Sequence, residues 1–281
     1  MAVLLGLASA LCYGTSDFVA GAAGRRADPA LVAVLAQPFG LVAAIVAVAV
    51  LPAHHPGGAA LAWGALSGLG SGLGTIALYR GLATGRMSVV APLSALLTIA
   101  LPVLVGVGLG DRLSALAWVG VALAPPAVLL VSVHAATGGG GERHGGAVAG
   151  LAAGVAFALL FIGLARAGTG AGAWPLVPGQ AVAVAVVAAF AASRRDALRA
   201  RTRGRAVWRE AVAAGVLAGV ANLAYLAATG HGQLAVVAVL AGLYPAATVL
   251  LARAVLHERW GRVQAAGLLV AAAAIALISA G

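Results

Sequence analysis

Only seven of the 281 residues are acidic, and one of them, Asp17, falls inside a long apolar run. An ionisable group in such a run is costly and marks a functional position by default. Ser9, Tyr13, Ser16 and Asp17 follow three- and four-residue spacing, so on a helix they share one face. A carboxylate on that face is hard to keep charged without a partner. It could exchange a proton or pair with a cationic solute. The plainer reading puts Asp17 at an aqueous boundary, capping a helix or pairing with Arg25 or Arg26.

Other polar residues sit in apolar surroundings. Asn222, Tyr225 and Thr229 again keep helical spacing. Gln37 and Gln180 occupy similar places in the two halves of the chain. Tyr79-Arg80 close one apolar run, Tyr244-Pro245 lie within another, and Pro92, Ser94, Thr98 and Pro102 share a third. Tyr13, Asp17, Gln37, Tyr79, Arg80, Ser94, Gln180, Asn222, Tyr225 and Tyr244 are therefore the candidates to line a solute path. Pro92, Pro102 and Pro245 free backbone carbonyls and let helices bend. The competing reading is packing: Ser, Thr and Gly are ordinary contact residues between membrane helices, and Tyr is common at membrane interfaces.

The chemistry of an enzyme is missing. The seven acids do not cluster, and no His-Glu-x-x-His, paired-Asp or Gly-x-Ser-x-Gly pattern has a useful context. The six His are scattered, and His54-His55 reads as a wet loop rather than a metal site. No phosphate-cradling glycine loop of the Walker type occurs, which argues against a primary pump. No cofactor and no metal are expected. The single cysteine, Cys12, cannot form an intrachain disulfide and reads as a small packing residue. Leu11 before it is too bulky for a lipoprotein site, and no basic stretch precedes the first apolar run as in a cleaved signal peptide.

The elements that hold these residues follow from composition. The chain is 63% hydrophobic and 9% charged, against roughly 25% charged in soluble domains. Mean hydropathy is +1.07. The solvent for most of the surface is then lipid. A spanning helix needs about 20 apolar residues. Ten segments qualify: Ala2 to Ala22, Ala30 to Val50, Leu61 to Gly81, Ser88 to Gly108, Leu113 to Val133, Ala147 to Ala167, Ala173 to Ser193, Ala211 to Thr229, Leu234 to Val255 and Val263 to Ala280. They are too long, and alternate too little, for barrel strands. The longest polar pieces, Ala135 to Gly146 and Arg194 to Val207, are too short to be domains.

All 17 basic residues are Arg, giving a net charge of +10. No soluble basic domain exists to bind nucleic acid, so these charges are assigned to topology. Arg25, Arg26, Arg86, Arg143, the Arg194 to Arg205 cluster, Arg259 and Arg262 follow odd-numbered segments. The positive-inside rule then puts those loops in the cytoplasm and both termini outside it.

The two halves resemble each other. Shifted by 147 residues, Ser88-Val89-Val90-Ala91 falls on Ala235-Val236-Val237-Ala238, and Asp111-Arg112 falls on Glu258-Arg259. Gly6-Leu7-Ala8 similarly aligns with Gly150-Leu151-Ala152, and Tyr13 with Phe157. The chain thus reads as residues 1–134, a Gly-rich linker at 135–146, and residues 147–281. Five spans per half is an odd number, so the copies enter the membrane in opposite directions. The expected fold is an all-α integral membrane protein of ten transmembrane helices in two inverted five-helix repeats. Asp111-Arg112 and Glu258-Arg259 are read as structural turns that pair charge and cap helix ends.

The stretches Asn222 to Ala228, Val236 to Pro245 and His257-Glu258-Arg259-Trp260 resemble the C-terminal repeat of the EamA family, in the drug/metabolite transporter superfamily. Ser88 to Ser94, Gly110-Asp111-Arg112-Leu113 and Tyr13 to Phe18 are similar to the first repeat. Asp111 stands where the family usually has Glu, and His257 where it usually has Gly. The resemblance implies ten helices and the transport, often export, of a metabolite or drug.

The function expected is secondary transport of a small organic solute by alternating access, with protons as a further partner. The alternatives are an intramembrane enzyme and a pore without coupling. The expected location is the cell membrane. Ten spans suffice for a complete path in one chain, and oligomeric state stays open.

Overall fold

The computed structural model describes residues 1–24, 26–51, 56–84, 87–132, 144–168, 170–193, 204–256 and 261–281. Long runs of Ala, Leu and Val, broken only where Gly, Pro and charge collect, fold there into helices. They are α1 (Ala2–Gly24), α2 (Pro29–Val50), α3 (Gly58–Thr84), α4 (Met87–Gly108), α5 (Ala115–Ser132), α6 (His144–Ala167), α7 (Leu176–Ala192), α8 (Arg205–Thr229), α9 (Leu234–Gly242), α10 (Tyr244–Leu256) and α11 (Arg262–Ala280). The described residues contain no strand.

Six of these helices are long and apolar enough to cross a bilayer: those of Ala2–Gly24, Ala30–Val50, Gly58–Leu78, Val148–Ala167, Arg205–Thr229 and Arg262–Ala280. Shorter apolar helices cover Leu93–Gly108, Ala115–Val131, Leu176–Ala192 and Leu234–Thr248. Each of the ten apolar segments thus has a helical counterpart. Leu4, Val42, Leu104, Val148, Val155 and Leu269 face outward, a surface suited to lipid rather than water.

Two boundaries differ from the sequence reading. The eighth helix starts at Arg205 rather than Ala211, behind Gly204 in an extended conformation. Its first turns carry Arg205, Arg209 and Glu210, because a helix satisfies its own backbone whether or not lipid surrounds it. The ninth apolar segment is not one continuous helix. It breaks at Leu243, where the ladder tightens to three-residue bonds: Leu243 N–H to Leu240 O at 3.3 Å and Ala246 N–H to Leu243 O at 3.0 Å. Pro245 has no N–H to continue the ladder of α9 and sits near the start of α10.

The helices pack mainly across the halves of the chain. α3 lies against α6 and α7, α2 against α7 and α8, α1 against α8, α9 and α10, α4 against α6 and α9, and α5 against α11. Small residues let the backbones approach, as is usual where lipid removes the hydrophobic drive between helices. A Cβ added at Gly64 or Gly68 of α3 would run into the backbone of Pro175 or Gly179. α9 is almost wholly enclosed: Leu234, Ala235, Val237, Val239 and Leu240 are all buried, and Val236 is partly so.

Candidate functional site

The polar face of α1 is bonded to α8 along its length. Ser9 Oγ donates to Ala221 O at 2.9 Å, Tyr13 Oη to Asn222 Oδ1 at 2.7 Å, and Ser16 Oγ to Ala214 O at 2.8 Å. Asn222 Nδ2 then donates to Ala218 O at 2.9 Å. The fourth member of that face, Asp17, has no hydrogen bond or ion pair among the described residues, and it borders a cavity of about 170 Å³.

Both halves of the chain build this cavity. α1 supplies Tyr13, Ser16 and Asp17, α2 Gln37 and Gly40, α3 Ser71 and Thr75, and α4 Thr98. From the second half come Phe157 and Phe161 of α6, Gln180 of α7, Gly215 and Asn222 of α8, and Tyr244 of α10. Tyr13 meets Phe161 edge-on at 5.9 Å between ring centroids and Tyr244 at 6.3 Å. Among the described residues Asp17 is the one acid of the lining, and no Arg or His joins it. The result is a mainly apolar, aromatic chamber with one carboxylate and a few amides and hydroxyls, the usual make-up of a small-molecule site. Two of the lining hydroxyls bond locally, Thr75 Oγ1 to Ser71 O at 2.9 Å and Thr98 Oγ1 to Ser94 O at 2.8 Å.

Six of the residues singled out from the sequence meet here: Tyr13, Asp17, Gln37, Gln180, Asn222 and Tyr244. Others lie elsewhere. Tyr225 is 0% exposed behind the wall, stacked on Phe161 at 4.5 Å, with no partner for its hydroxyl. Ser94 is buried off the lining. Arg80 is exposed, its guanidinium 5.0 Å from the centre of the Phe190 ring. The side chains of Tyr79 and Pro92 lie outside the described residues. Pro102 is fully buried in α4. Arg26 pairs with Glu210, and Asp28 caps α2 by accepting the Ala30 N–H at 2.9 Å.

Of the two turns, Glu258 and Arg259 lie outside the described residues, as do His54 and His55. The other turn is seen. Gly110, at φ 104, swings the chain so that Asp111 Oδ2 accepts the Ala235 N–H at 2.8 Å. Asp111 therefore caps α9, a helix of the other half. Gln233 Nε2 adds a bond to Arg112 O at 2.9 Å.

The sequence reading missed Phe157, Phe161, Ser71 and Thr75 as wall residues. Signals existed for two kinds of them. Phe157 is the repeat counterpart of Tyr13, and Ser71 and Thr75 are four apart on a glycine-rich helix. No group of three or more His, Cys, Asp or Glu with metal-binding geometry occurs among the described residues.

A helical bundle with apolar sides suited to lipid and an inner chamber carrying a few polar groups is a multi-pass membrane protein. Residues 144–280 match the EamA-like transporter family. That family is part of the drug/metabolite transporter superfamily. Its members are transporters rather than enzymes. One crystal structure of a protein is similar over 98% of this chain and 95% of its own, with a TM-score of 0.77 and 20% sequence identity. That likeness speaks for the fold. No curated protein matches the chain in sequence.

Proposed function

We propose that this chain is a secondary transporter that carries a small organic solute through the cavity by alternating access. The observation that carries the proposal is a chamber walled by both halves of the chain, with the carboxylate of Asp17, which has no partner among the described residues, on its lining. A chamber at the junction of two bodies is where a rocking motion exposes a solute to one side and then the other.

The packing supports two repeats of five helices. Let α1 to α5 exchange places with α6, α7, α8, the α9–α10 pair and α11. The contact of α1 with α8 becomes that of α6 with α3, and α2 with α8 becomes α7 with α3. Likewise α4 with α6 becomes the α9–α10 pair with α1, while α2 with α7 and α5 with α11 map onto themselves. Ten crossings in two inverted copies fit this pattern. The break at Leu243 and the prolines Pro102 and Pro245 give the inner helices places to bend. Asp17 serves as the group that takes a proton or a cationic part of the solute, and export fits the family. The arginine pattern supports a cell-membrane protein with both termini outside the cytoplasm.

The test is a panel of amino acids, nucleosides, sugars and cationic drugs offered to proteoliposomes, with and without a pH gradient. Saturable movement of one class is expected, with loss of gradient dependence in Asp17→Asn. No transport of any compound, with a chemically altered product instead, refutes the proposal.

A further inference from the structure

Gln180 is a buried amide with no hydrogen bond among the described residues. It lies on α7, 7% exposed, and borders both the main cavity and a smaller one of about 10 Å³. Its Oε1 is enclosed without a partner, and no hydrogen bond to its Nε2 exists among the described residues. The facing residue is Gly40 of α2, where an added Cβ would come within 3.2 Å of both Nε2 and Oε1. The backbone of α2 therefore passes flat beside the amide and offers it no side chain. Two of the nearby polar side chains are engaged elsewhere, Asn222 with Tyr13 and Ala218 and Ser67 with Gly64, while Ser71 and Gln37 of the same lining make no side-chain bond among the described residues. An amide left wholly unpaired in the interior is costly and calls for an explanation. Neither amide atom has a partner among the described residues, so exchanging oxygen and nitrogen changes nothing.

We infer that Gln180 is the specificity group of the cavity, and that the solute carries a positive charge for Asp17 and a neutral paired donor–acceptor group, such as a carboxamide, for Gln180. This rests on the transport reading above and names its substrate class. The charge follows from the lining, where one carboxylate faces no described cation. An anionic solute would meet like charge at Asp17, whose side chain is exposed. The Tyr13 and Tyr244 rings on the lining add to the preference, since aromatic rings attract cations. The paired group follows from Gln180, since a free amide offers one donor edge and one acceptor edge side by side. The competing explanation is a single trapped water. The smaller cavity is at the lower edge of the roughly 10–15 Å³ that one water needs.

Four flat probes separate these features: 1-methylnicotinamide (charge and carboxamide), 1-methylpyridinium (charge alone), nicotinamide (carboxamide alone) and nicotinate (an anion). Calorimetric titration of the purified full chain should rank 1-methylnicotinamide first, about tenfold or more above 1-methylpyridinium, with nicotinate unbound. In Gln180→Leu the first two compounds should bind alike. Gly40→Ala, which crowds the amide without removing it, should narrow the same gap. Equal binding of the two cations by the wild-type chain, or a gap that survives both variants, overturns the inference and leaves trapped water as the amide's partner. Binding of none of the four also overturns it. The transport proposal fails separately, only if the wider panel shows no movement.

Discussion

Asp111 Oδ2 accepts the backbone N–H of Ala235 at 2.8 Å, so a turn in the first half of the chain caps a helix in the second. The cap joins residues 124 apart. It depends on Gly106, where a Cβ would strike the Asp111 carboxylate. Losing an N-cap side chain costs about 1 kcal/mol. Asp111→Ala and Gly106→Ala should each lower the thermal midpoint, and the double variant should lose little more than either alone, because both remove the same bond. A thermal unfolding cycle in detergent checks this. Additive losses would mean that the cap is not shared.

Tyr13 Oη to Asn222 Oδ1 is the second such tie, at 2.7 Å across α1 and α8. Tyr13→Phe keeps the ring against Phe161 but removes the bond. Loss of about 1 kcal/mol is expected. Asn222→Ala should cost a similar amount, with coupling between the two in a double-mutant cycle. Independent effects would show that the bond is not formed in the membrane.

The glycines divide into those at helix contacts and those in the open. A Cβ at Gly215 would meet the Ala36 carbonyl, and one at Gly68 the Gly179 carbonyl, whereas Gly21 has nothing within 4 Å. Gly215→Val and Gly68→Val should leave little monodisperse protein on size-exclusion chromatography. Gly21→Ala should be neutral or stabilise by roughly 0.5–1 kcal/mol, since Gly weakens a helix interior. The reverse ranking would contradict the close packing of α3 on α7 and α8 on α2.

Orientation can be read with a fusion. Green fluorescent protein joined after Gly281 becomes fluorescent in the cytoplasm, while alkaline phosphatase is active only outside it. With both termini outside, the phosphatase fusion should be active and the fluorescent one dark. The opposite pair of results would invert the topology.

The helices could be read from sequence because lipid simplifies the problem: every spanning backbone must satisfy itself, so a long apolar run is a helix. The break at Leu243 was harder. Tyr244-Pro245 marks it, but Pro38 and the Pro125-Pro126 pair lie inside helices that stay continuous. Composition does not say which proline will interrupt. The polar face of α1 was visible from spacing alone, as was that of α8. That these two faces bond to each other was not, because periodicity orients a helix without naming its neighbour. Tyr225 shows the limit. It shares spacing with Asn222, yet the rotation of α8 turns it onto Phe161 and away from the chamber. Gln180 shows the converse: its isolation depends on Gly40, a residue with no side chain to attract notice.

Counterflow tests the central claim most directly. Proteoliposomes holding an unlabelled solute from the responsive class are diluted into a trace of the same solute in labelled form. A carrier that alternates its access drives the label to a transient internal concentration above that outside, and the account predicts this overshoot. Simple equilibration of the label, with no overshoot at any loading, would contradict alternating access and describe a pore.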